Sequence, residues 1–190
     1  IDKNTISDID AKIERKFLPI IESALNAKMP SSTEKDEMNL VYYKDENLVI
    51  NPKGQNSKKR FIDSIKEALY QKIDSDENVI IMGQDIAEYG GVFKVTDGFL
   101  DEFGKQRIRN TPIIESGIIG TAMGLAIEGF KPIVEMQFSD FVSVGFNQIV
   151  NNLAKTYYRW RQPINVTLRL PAGGNIGAGP FHSQNNEAWF

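Results

Sequence analysis

The chain contains 190 residues, of which 41% are hydrophobic and 25% are charged, and its formal net charge is −3. This balance excludes a general electrostatic attraction to nucleic acid or to an anionic membrane surface. The lack of cysteine excludes disulfides, thiolate chemistry and cysteine-type zinc sites, and no apolar run approaches the roughly 20 residues of a membrane-spanning helix. We therefore expect a cytoplasmic globular protein with neither a nucleic-acid nor a membrane partner.

The first sixty residues differ in pattern from the rest. Apolar residues at three- and four-residue spacing, from Ile9 to Ala24, predict an amphipathic helix within residues 1–28, capped by Ser7 or Asp8. A polar, turn-rich segment follows, and we assign residues 29–60 to a linker. Within it, LVYYKDENLVI predicts a short hairpin that turns at Asp45 to Asn47.

From Phe61 onward, helical patterns alternate with apolar strand patterns. The segments NVIIMG, KPIVEMQF and INVTLRL predict buried strands, RIRN predicts an edge strand, and helices are predicted between them, the longest in FVSVGFNQIVNNLAKTYYRW. Such alternation is typical of an α/β fold with a parallel sheet flanked by helices. Ligands bind such sheets beyond the carboxyl ends of the strands. Here those ends carry GQDIAEYGGVF, QFSDF and PAGGNIGAGPFHSQ.

Glu115 is the one charged residue in the segment NTPIIESGIIGTAMGLAI, and it precedes a predicted helix. A carboxylate at a helix start gains from the helix dipole, so one interpretation is a capping acid. The other is a functional acid, because four neighbouring isoleucines predict a desolvated carboxyl, and desolvation favours the protonated form. The residues alone leave both interpretations open.

Gly117, Gly120 and Gly124 fall on one face of the same predicted helix. Each glycine inside a helix is less favourable than alanine by about 0.5–1 kcal/mol. Close approach of another backbone would offset this, either from a strand of the same chain or from a helix of a neighbouring subunit.

His182 is the only histidine, and it follows a glycine-rich loop at the end of a predicted strand. It is either an incidental surface residue or a catalytic one. GGNIGAG has its glycines in the reverse order of a dinucleotide-binding fingerprint, which argues against a Rossmann site. KTYYRWRQ interleaves basic and aromatic residues, as some single-strand-binding surfaces do, but its place at the end of an amphipathic helix favours packing.

Four segments together resemble the β subunit of thiamine-diphosphate-dependent 2-oxo acid dehydrogenases, of the branched-chain or 2-oxoisovalerate type. They are GQDIAEYGGVFKVTDGF, RIRNTPIIESGIIGTAMGLAIEGFKPIVEMQFSDF, NQIVNNLAKTYYR and HSQNNEAWF, within residues 61–190. In that family the β subunit belongs to the decarboxylating component and contributes a transketolase-like pyrimidine-binding domain. The resemblance implies thiamine diphosphate as a cofactor, shared with an α-type domain that supplies the diphosphate and Mg²⁺ site, and it implies no metal ligand in this chain.

The resemblance also implies roles for the residues that match its motifs. Glu115 would hydrogen-bond N1′ of the aminopyrimidine and promote its imino tautomer. His182 would assist proton transfer during acyl transfer to the lipoyl domain of the acyltransferase component. Ile113, Gln137 and Phe141 would line the pyrimidine pocket, with Phe141 stacked on the ring.

For the glycine helix, the resemblance implies burial between subunits, so that Gly117, Gly120 and Gly124 would contact a second β-type domain. The family's diphosphate motif, G-D-G followed by asparagine, is absent from the sequence. We therefore expect a fragment that is inactive alone and covers only part of the pyrimidine-binding domain, residues 61–190. Residues 1–60 resemble the tail of an α subunit, which suggests an α–β fusion as the parent.

The segment EMQF at residues 135–138 favours a branched-chain 2-oxo acid as the substrate. Pyruvate and acetoin dehydrogenases of bacteria share enough of the pattern to stay open as alternatives. Two further hypotheses for the function are a transketolase-like synthase and a noncatalytic assembly module of the same fold.

Overall fold

The computed structural model describes residues 2–44, 51, 54, 57–173 and 176–190. Contacts divide the chain into two units, Ile1–Met38 and Asn39–Phe190. The helices are α1 (Lys3–Leu25), α2 (Glu34–Val41), α3 (Phe61–Ser75), α4 (Phe99–Phe103), α5 (Glu115–Ile127), α6 (Val142–Asn147) and α7 (Ala154–Trp160). The strands are β1 (Val79–Gly83), β2 (Ile108–Asn110), β3 (Lys131–Glu135) and β4 (Thr167–Arg169). Within the described residues, no helix combines the length and the apolar character that a membrane crossing requires.

Helix α1 spans the predicted amphipathic stretch, but it starts earlier than expected. Asp2 is the cap, because its Oδ1 accepts a hydrogen bond of 2.8 Å from the backbone N–H of Thr5. Ser7 and Asp8 lie inside the helix, so the predicted cap is wrong. The apolar face of α1 is exposed throughout, with Phe17 at 53% exposure as a typical member.

A second helix, α2, lies within the predicted linker. Thr33 and Asp36 start it with reciprocal hydrogen bonds, in which the N–H of Asp36 donates to Oγ1 of Thr33 at 3.2 Å and the N–H of Thr33 donates to Oδ2 of Asp36 at 3.1 Å. This start carries the helix through Leu40 and Val41, where the hairpin prediction is therefore wrong. Residues 45–50, which include the predicted turn, lie outside the described residues.

The second unit contains a parallel sheet with strand order β2-β1-β3-β4. Strand β1 is central, and all five of its residues are buried, as the apolar run predicts. Its residues pair with both neighbours, and Gly83 lies opposite Asn110 of β2 and Glu135 of β3. The predicted α/β class and the edge position of RIRN are confirmed.

Helices cover the two faces of this sheet. Helices α3 and α4 pack one face through a cluster that contains Ile73, Ile81 and Phe99. Helix α5 packs the other face through Ile118 and Ala122. Beside α5, the predicted long helix forms, interrupted by a π-helical segment from Gln148 to Leu153 between α6 and α7.

Two features of the last part of the chain differ from the sequence expectation. Strand β4 was expected to be buried, but it is the edge of the described sheet, and its residues are exposed or half-buried. In KTYYRWRQ, Tyr158 and Trp160 are 46% and 60% exposed. Arginine guanidinium groups lie over both rings, Arg161 over Tyr158 and Arg159 over Trp160, so neither ring belongs to the core.

Candidate functional site

The site is built at the carboxyl end of the sheet, starting from the residue that follows β1. Gln84 is only 5% exposed, because the chain turns there between the sheet and α5. Its Nε2 donates a hydrogen bond of 3.1 Å to Oε1 of Glu115. The two residues are 31 positions apart in sequence. The segment between them, which contains α4 and β2, brings them together.

Glu115 is the first residue of α5 and is 7% exposed. The predicted burial of Glu115 is thus confirmed, although only two of the four neighbouring isoleucines are themselves buried: Ile118 and Ile119 are, whereas Ile113 is 80% and Ile114 51% exposed. Gln84 occupies one oxygen of the carboxyl. The other, Oε2, has no hydrogen-bond donor within the described part of the chain and is not among its fully enclosed atoms, so it keeps some accessible surface.

Gln137 is connected to this pair by a hydrogen bond to Asp85, the residue that follows Gln84. Its Nε2 donates a hydrogen bond of 3.1 Å to Oδ2 of Asp85. Asp85 adopts a φ of 55°, a left-handed conformation that is uncommon outside glycine. Strained backbone of this kind persists where the surrounding structure fixes it, and it is frequent at functional sites.

An aromatic cluster forms the next part of the same edge. His182 packs edge-to-face on Phe141 and on Phe138, with ring centroids 5.4 Å and 4.9 Å apart. Phe138 in turn contacts Phe93, which comes from the loop after β1. The sequence singled out His182 and Phe141, and the structure brings their rings into contact.

Hydrogen bonds from the segment SDF fix the position of the histidine loop. Ser139 Oγ donates to the carbonyl of Gln184 at 2.7 Å, and Asp140 Oδ1 accepts from the N–H of Gln184 at 3.2 Å. The buried Asn186 donates through Nδ2 to the carbonyl of Ser139 at 2.9 Å. Ser139 and Asp140 thus anchor Gln184, two residues after His182, and Asn186 ties the following residues to the same segment.

Five of the predicted site residues therefore lie on one edge of the molecule. Glu115 is joined through Gln84 and Asp85 to Gln137, and Gln137 adjoins the cluster of Phe138, Phe141 and His182. Ile113 is two residues from Glu115, and most of its surface is exposed. The sequence placed Gln84, Asp85 and Phe138 in segments at the carboxyl ends of strands, where ligands bind, but did not single them out as site residues.

The glycine face of α5 has no partner within the described chain. A Cβ added at Gly120 or at Gly124 would meet nothing within 4 Å, and the three atoms nearest to one at Gly117 would all belong to the side chain of Ile114. The close helix approach inside this unit occurs instead at Gly145 of α6. There an added Cβ would lie 2.4 Å from Cδ1 of Ile119 and 3.6 Å from the carbonyl oxygen of Glu115.

Known proteins are similar to this chain in sequence. The model of the family described as transketolase, pyrimidine binding domain, matches residues 57–190. The chain is 44% identical over 131 residues to the pyruvate dehydrogenase E1 component subunit beta of Leifsonia xyli subsp. xyli, a match that covers 68% of this chain and 39% of that one.

Two further relatives are named for other substrates. One is the 3-methyl-2-oxobutanoate dehydrogenase subunit beta of Mycobacterium tuberculosis, 41% identical over 148 residues, with 77% of this chain and 42% of that one covered. The other is the 2-oxoisovalerate dehydrogenase subunit beta of Bacillus subtilis, 42% identical over 134 residues, with 68% and 40% covered. The chain spans about two-fifths of the length of these relatives. Because the family model matches more than half of the chain, this protein belongs to the transketolase pyrimidine-binding domain family.

Proposed function

We propose that this chain is part of the thiamine-diphosphate-dependent decarboxylating component of a 2-oxo acid dehydrogenase complex, and that it binds the aminopyrimidine end of the cofactor. The observation that carries the proposal is the buried carboxyl of Glu115, which Gln84 holds by one oxygen while the other is open. Relatives named as beta subunits of such dehydrogenases are 41–44% identical to the chain. An α-type domain would complete the site with its diphosphate and Mg²⁺ ligands.

The side chains at this edge fit the chemistry of an aminopyrimidine. A desolvated carboxyl suits hydrogen bonding to a ring nitrogen, and the exposed Ile113 and the half-buried Phe141 offer apolar surface to a flat ring. Gln137 offers an amide at the same edge. Thiamine diphosphate, when bound, supplies the nucleophilic carbon that attacks the keto group and takes up the electrons of decarboxylation.

The chain's own residues would hold and move protons around that chemistry. Glu115 would hold a proton at Oε2, the oxygen that no protein donor contacts, and Gln84 would fix the orientation of the carboxyl. His182 has its ring held by Phe138 and Phe141, and it would serve as a proton donor or acceptor during acyl transfer to the lipoyl domain.

We propose a branched-chain 2-oxo acid as the substrate, with pyruvate and acetoin as alternatives. The relatives named for 3-methyl-2-oxobutanoate and 2-oxoisovalerate support the first, and the relative named for pyruvate keeps the second open. The test is thiamine diphosphate binding by the full-length protein, followed by turnover of 3-methyl-2-oxobutanoate, pyruvate and acetoin. Absence of cofactor binding would indicate a noncatalytic assembly module, and ketol transfer without a lipoyl acceptor would indicate a transketolase-like synthase.

The glycine face of α5 would contact a second β-type domain. In its favour, Gly120 and Gly124 have no neighbour within the described chain, although each is unfavourable in a helix. Gly120→Leu should therefore weaken subunit association by overpacking the contact, measured by sedimentation of the full-length protein. Gln71→Leu adds a similar side chain to the exposed side of α3 and should leave association unchanged. If Gly120→Leu and wild type sediment equally, the proposed contact is contradicted.

We further propose the domain division of residues 1–28, 29–60 and 61–190, with an α–β fusion as the parent. The family match that starts at residue 57 and the separate contact unit Ile1–Met38 support it. The reading frame of the full-length gene tests it. A frame that encodes a G-D-G diphosphate motif upstream supports a fusion, and an independent start codon near Phe61 contradicts one. The cytoplasmic location stays a prediction.

A further inference from the structure

A buried ion pair lies at the carboxyl ends of β3 and β4, below the candidate site. Glu135 and Arg169 are register partners on the two strands, and Arg169 Nη1 lies 2.7 Å from Glu135 Oε2. The side chains are only 4% and 15% exposed. Neither of these two atoms has another hydrogen-bond partner within the described part of the chain, so each charge depends on the other.

Stability alone does not account for such a pair. Removing both charges from water is unfavourable, and replacing a buried pair with apolar residues of similar volume is often neutral or stabilising. Burial raises the pKa of Glu135, and attraction to Arg169 opposes that rise. The pair is therefore better explained by what it fixes in place.

Glu135 lies beside Gly91, the last residue of the Gln84–Gly91 loop that follows β1. A Cβ added to Gly91 would lie 3.2 Å from Oε1 of Glu135, and one added to Gly83 would lie 2.4 Å from its carbonyl oxygen. Gly91 has a φ of 77°, and its N–H donates to the carbonyl of Asp85 at 2.8 Å. The far end of the loop is thus hydrogen-bonded to its own start, and the carboxylate of Glu135 fills the space beside Gly91 that a side chain there would need.

The start of the same loop carries two contacts of the candidate site. Gln84 donates to Glu115, and Asp85 accepts from Gln137. Both contacts require the loop to keep its conformation, since Asp85 has a positive φ. A shift of the loop away from β3 would release them together.

We propose that the Glu135–Arg169 pair is a positioning element for the cofactor site, which holds the Gln84–Gly91 loop so that Gln84 stays on Glu115 and Asp85 stays on Gln137. The consequence for catalysis rests on the proposed function. The consequence for the loop does not, because it concerns contacts within this chain.

The test compares variants of the full-length protein together with its α-type domain. Glu135→Gln keeps the shape and removes one charge, whereas Glu135→Leu combined with Arg169→Met removes both charges at similar volume. Glu67→Gln makes the same change in the exposed Lys59–Glu67 pair and serves as the control. Three quantities are measured for each: the free energy of unfolding, amide hydrogen exchange of residues 84–91 without cofactor, and kcat and Kd for thiamine diphosphate.

A positioning role predicts a separation of stability from function in the double variant. Its free energy of unfolding returns to near the wild-type value. Its exchange at residues 84–91 stays roughly tenfold faster than in wild type, and its kcat stays roughly 10- to 100-fold lower, the effect typical of residues that orient the groups of a site. The control changes none of the three quantities.

Recovery of exchange and kcat together with stability in the double variant would overturn the proposal, because the pair would then be merely structural. Wild-type exchange at residues 84–91 in Glu135→Gln would overturn it as well. If the wild-type protein fails to bind thiamine diphosphate, the proposed function is rejected, while the exchange measurement still decides the role of the pair.

Discussion

At the amino ends of the strands, Arg107 donates to the carbonyls of Val79, Ile73 and Asp76 at 3.0, 2.6 and 2.6 Å. At the carboxyl ends, Glu115 is as buried as a core residue, yet one of its carboxyl oxygens has no protein donor among the described residues. The amino end uses its charged side chains to satisfy the chain's own backbone. At the carboxyl end, the carboxyl of Glu115 keeps one oxygen without a protein partner among the described residues. This property distinguishes a binding site from a structural contact.

The largest expected effect is a loss of turnover from a substitution at the carboxyl end, and it tests the difference between the two ends of the sheet. Glu115→Gln keeps the shape and the burial of the side chain but removes its acid–base function. Turnover of the full-length enzyme should fall by roughly 10²–10⁴-fold, the range for lost general acid–base catalysis, with little change in the free energy of unfolding. Glu128→Gln, at the exposed far end of α5, is the matched control. Near-normal turnover of Glu115→Gln would remove this residue from the mechanism.

At the amino end, the expected effect is on stability. Arg107→Met removes the donor to three carbonyl groups, and leaving buried carbonyls unsatisfied should lower the free energy of unfolding by about 1–3 kcal/mol. Urea unfolding of the full-length protein measures this, beside Lys105→Met at an exposed position two residues earlier. Turnover per folded molecule should equal that of wild type. A specific loss of kcat without a loss of stability would break the contrast between the two ends.

The smallest effect concerns the pH dependence of the same end. The hydrogen bond from Lys131, 2.6 Å from Nζ to Oδ2, and then the backbone N–H of Asn78 lower the pKa of Asp76 below its ordinary value of 3.8. Because the folded pKa is the lower one, the ionised group stabilises the fold above the unfolded pKa, and this contribution disappears as the pH falls through the folded pKa.

Asp76→Asn should therefore be less stable than wild type at neutral pH, and the difference should vanish as the pH falls below 3.8 and through the lowered pKa of the folded state. The measurement is urea unfolding at a series of pH values, with Asp74→Asn, an exposed residue of α3, as the control. A difference that stays constant across the series would mean that the pair with Lys131 contributes nothing to stability.

Apolar patterning was sufficient to predict most of the sheet. In the run NVIIMG, all five residues from Val79 to Gly83 are buried in β1, as a strand covered on both faces must be. The same reasoning failed for INVTLRL, because the pattern of a buried strand does not tell whether a further strand will pair with it. It failed again at Leu40 and Val41, where the hydrogen bonds of Thr33 and Asp36 start a helix through residues that favour a strand.

For the site, the sequence predicted which side chains take part better than it predicted the residues that contact them. The isoleucines on both sides of Glu115 predicted a desolvated carboxyl, and the residue is buried, but of the four only Ile118 and Ile119 are themselves buried. The three glycines of α5 drew attention as packing positions. The glycine that packs closely against α5 is instead Gly145, which stands alone in its segment and therefore makes no periodic pattern.

The sequence by itself determined the order and type of the elements from α3 to β4 and the acid at the head of α5, because these depend on residues close together in the chain. The tertiary structure decided what that acid meets. Gln84 is 31 residues from Glu115, and Asp85 is 52 residues from Gln137. Such pairs form only when parallel strands bring their carboxyl ends to one edge, so no local pattern of residues could have revealed them.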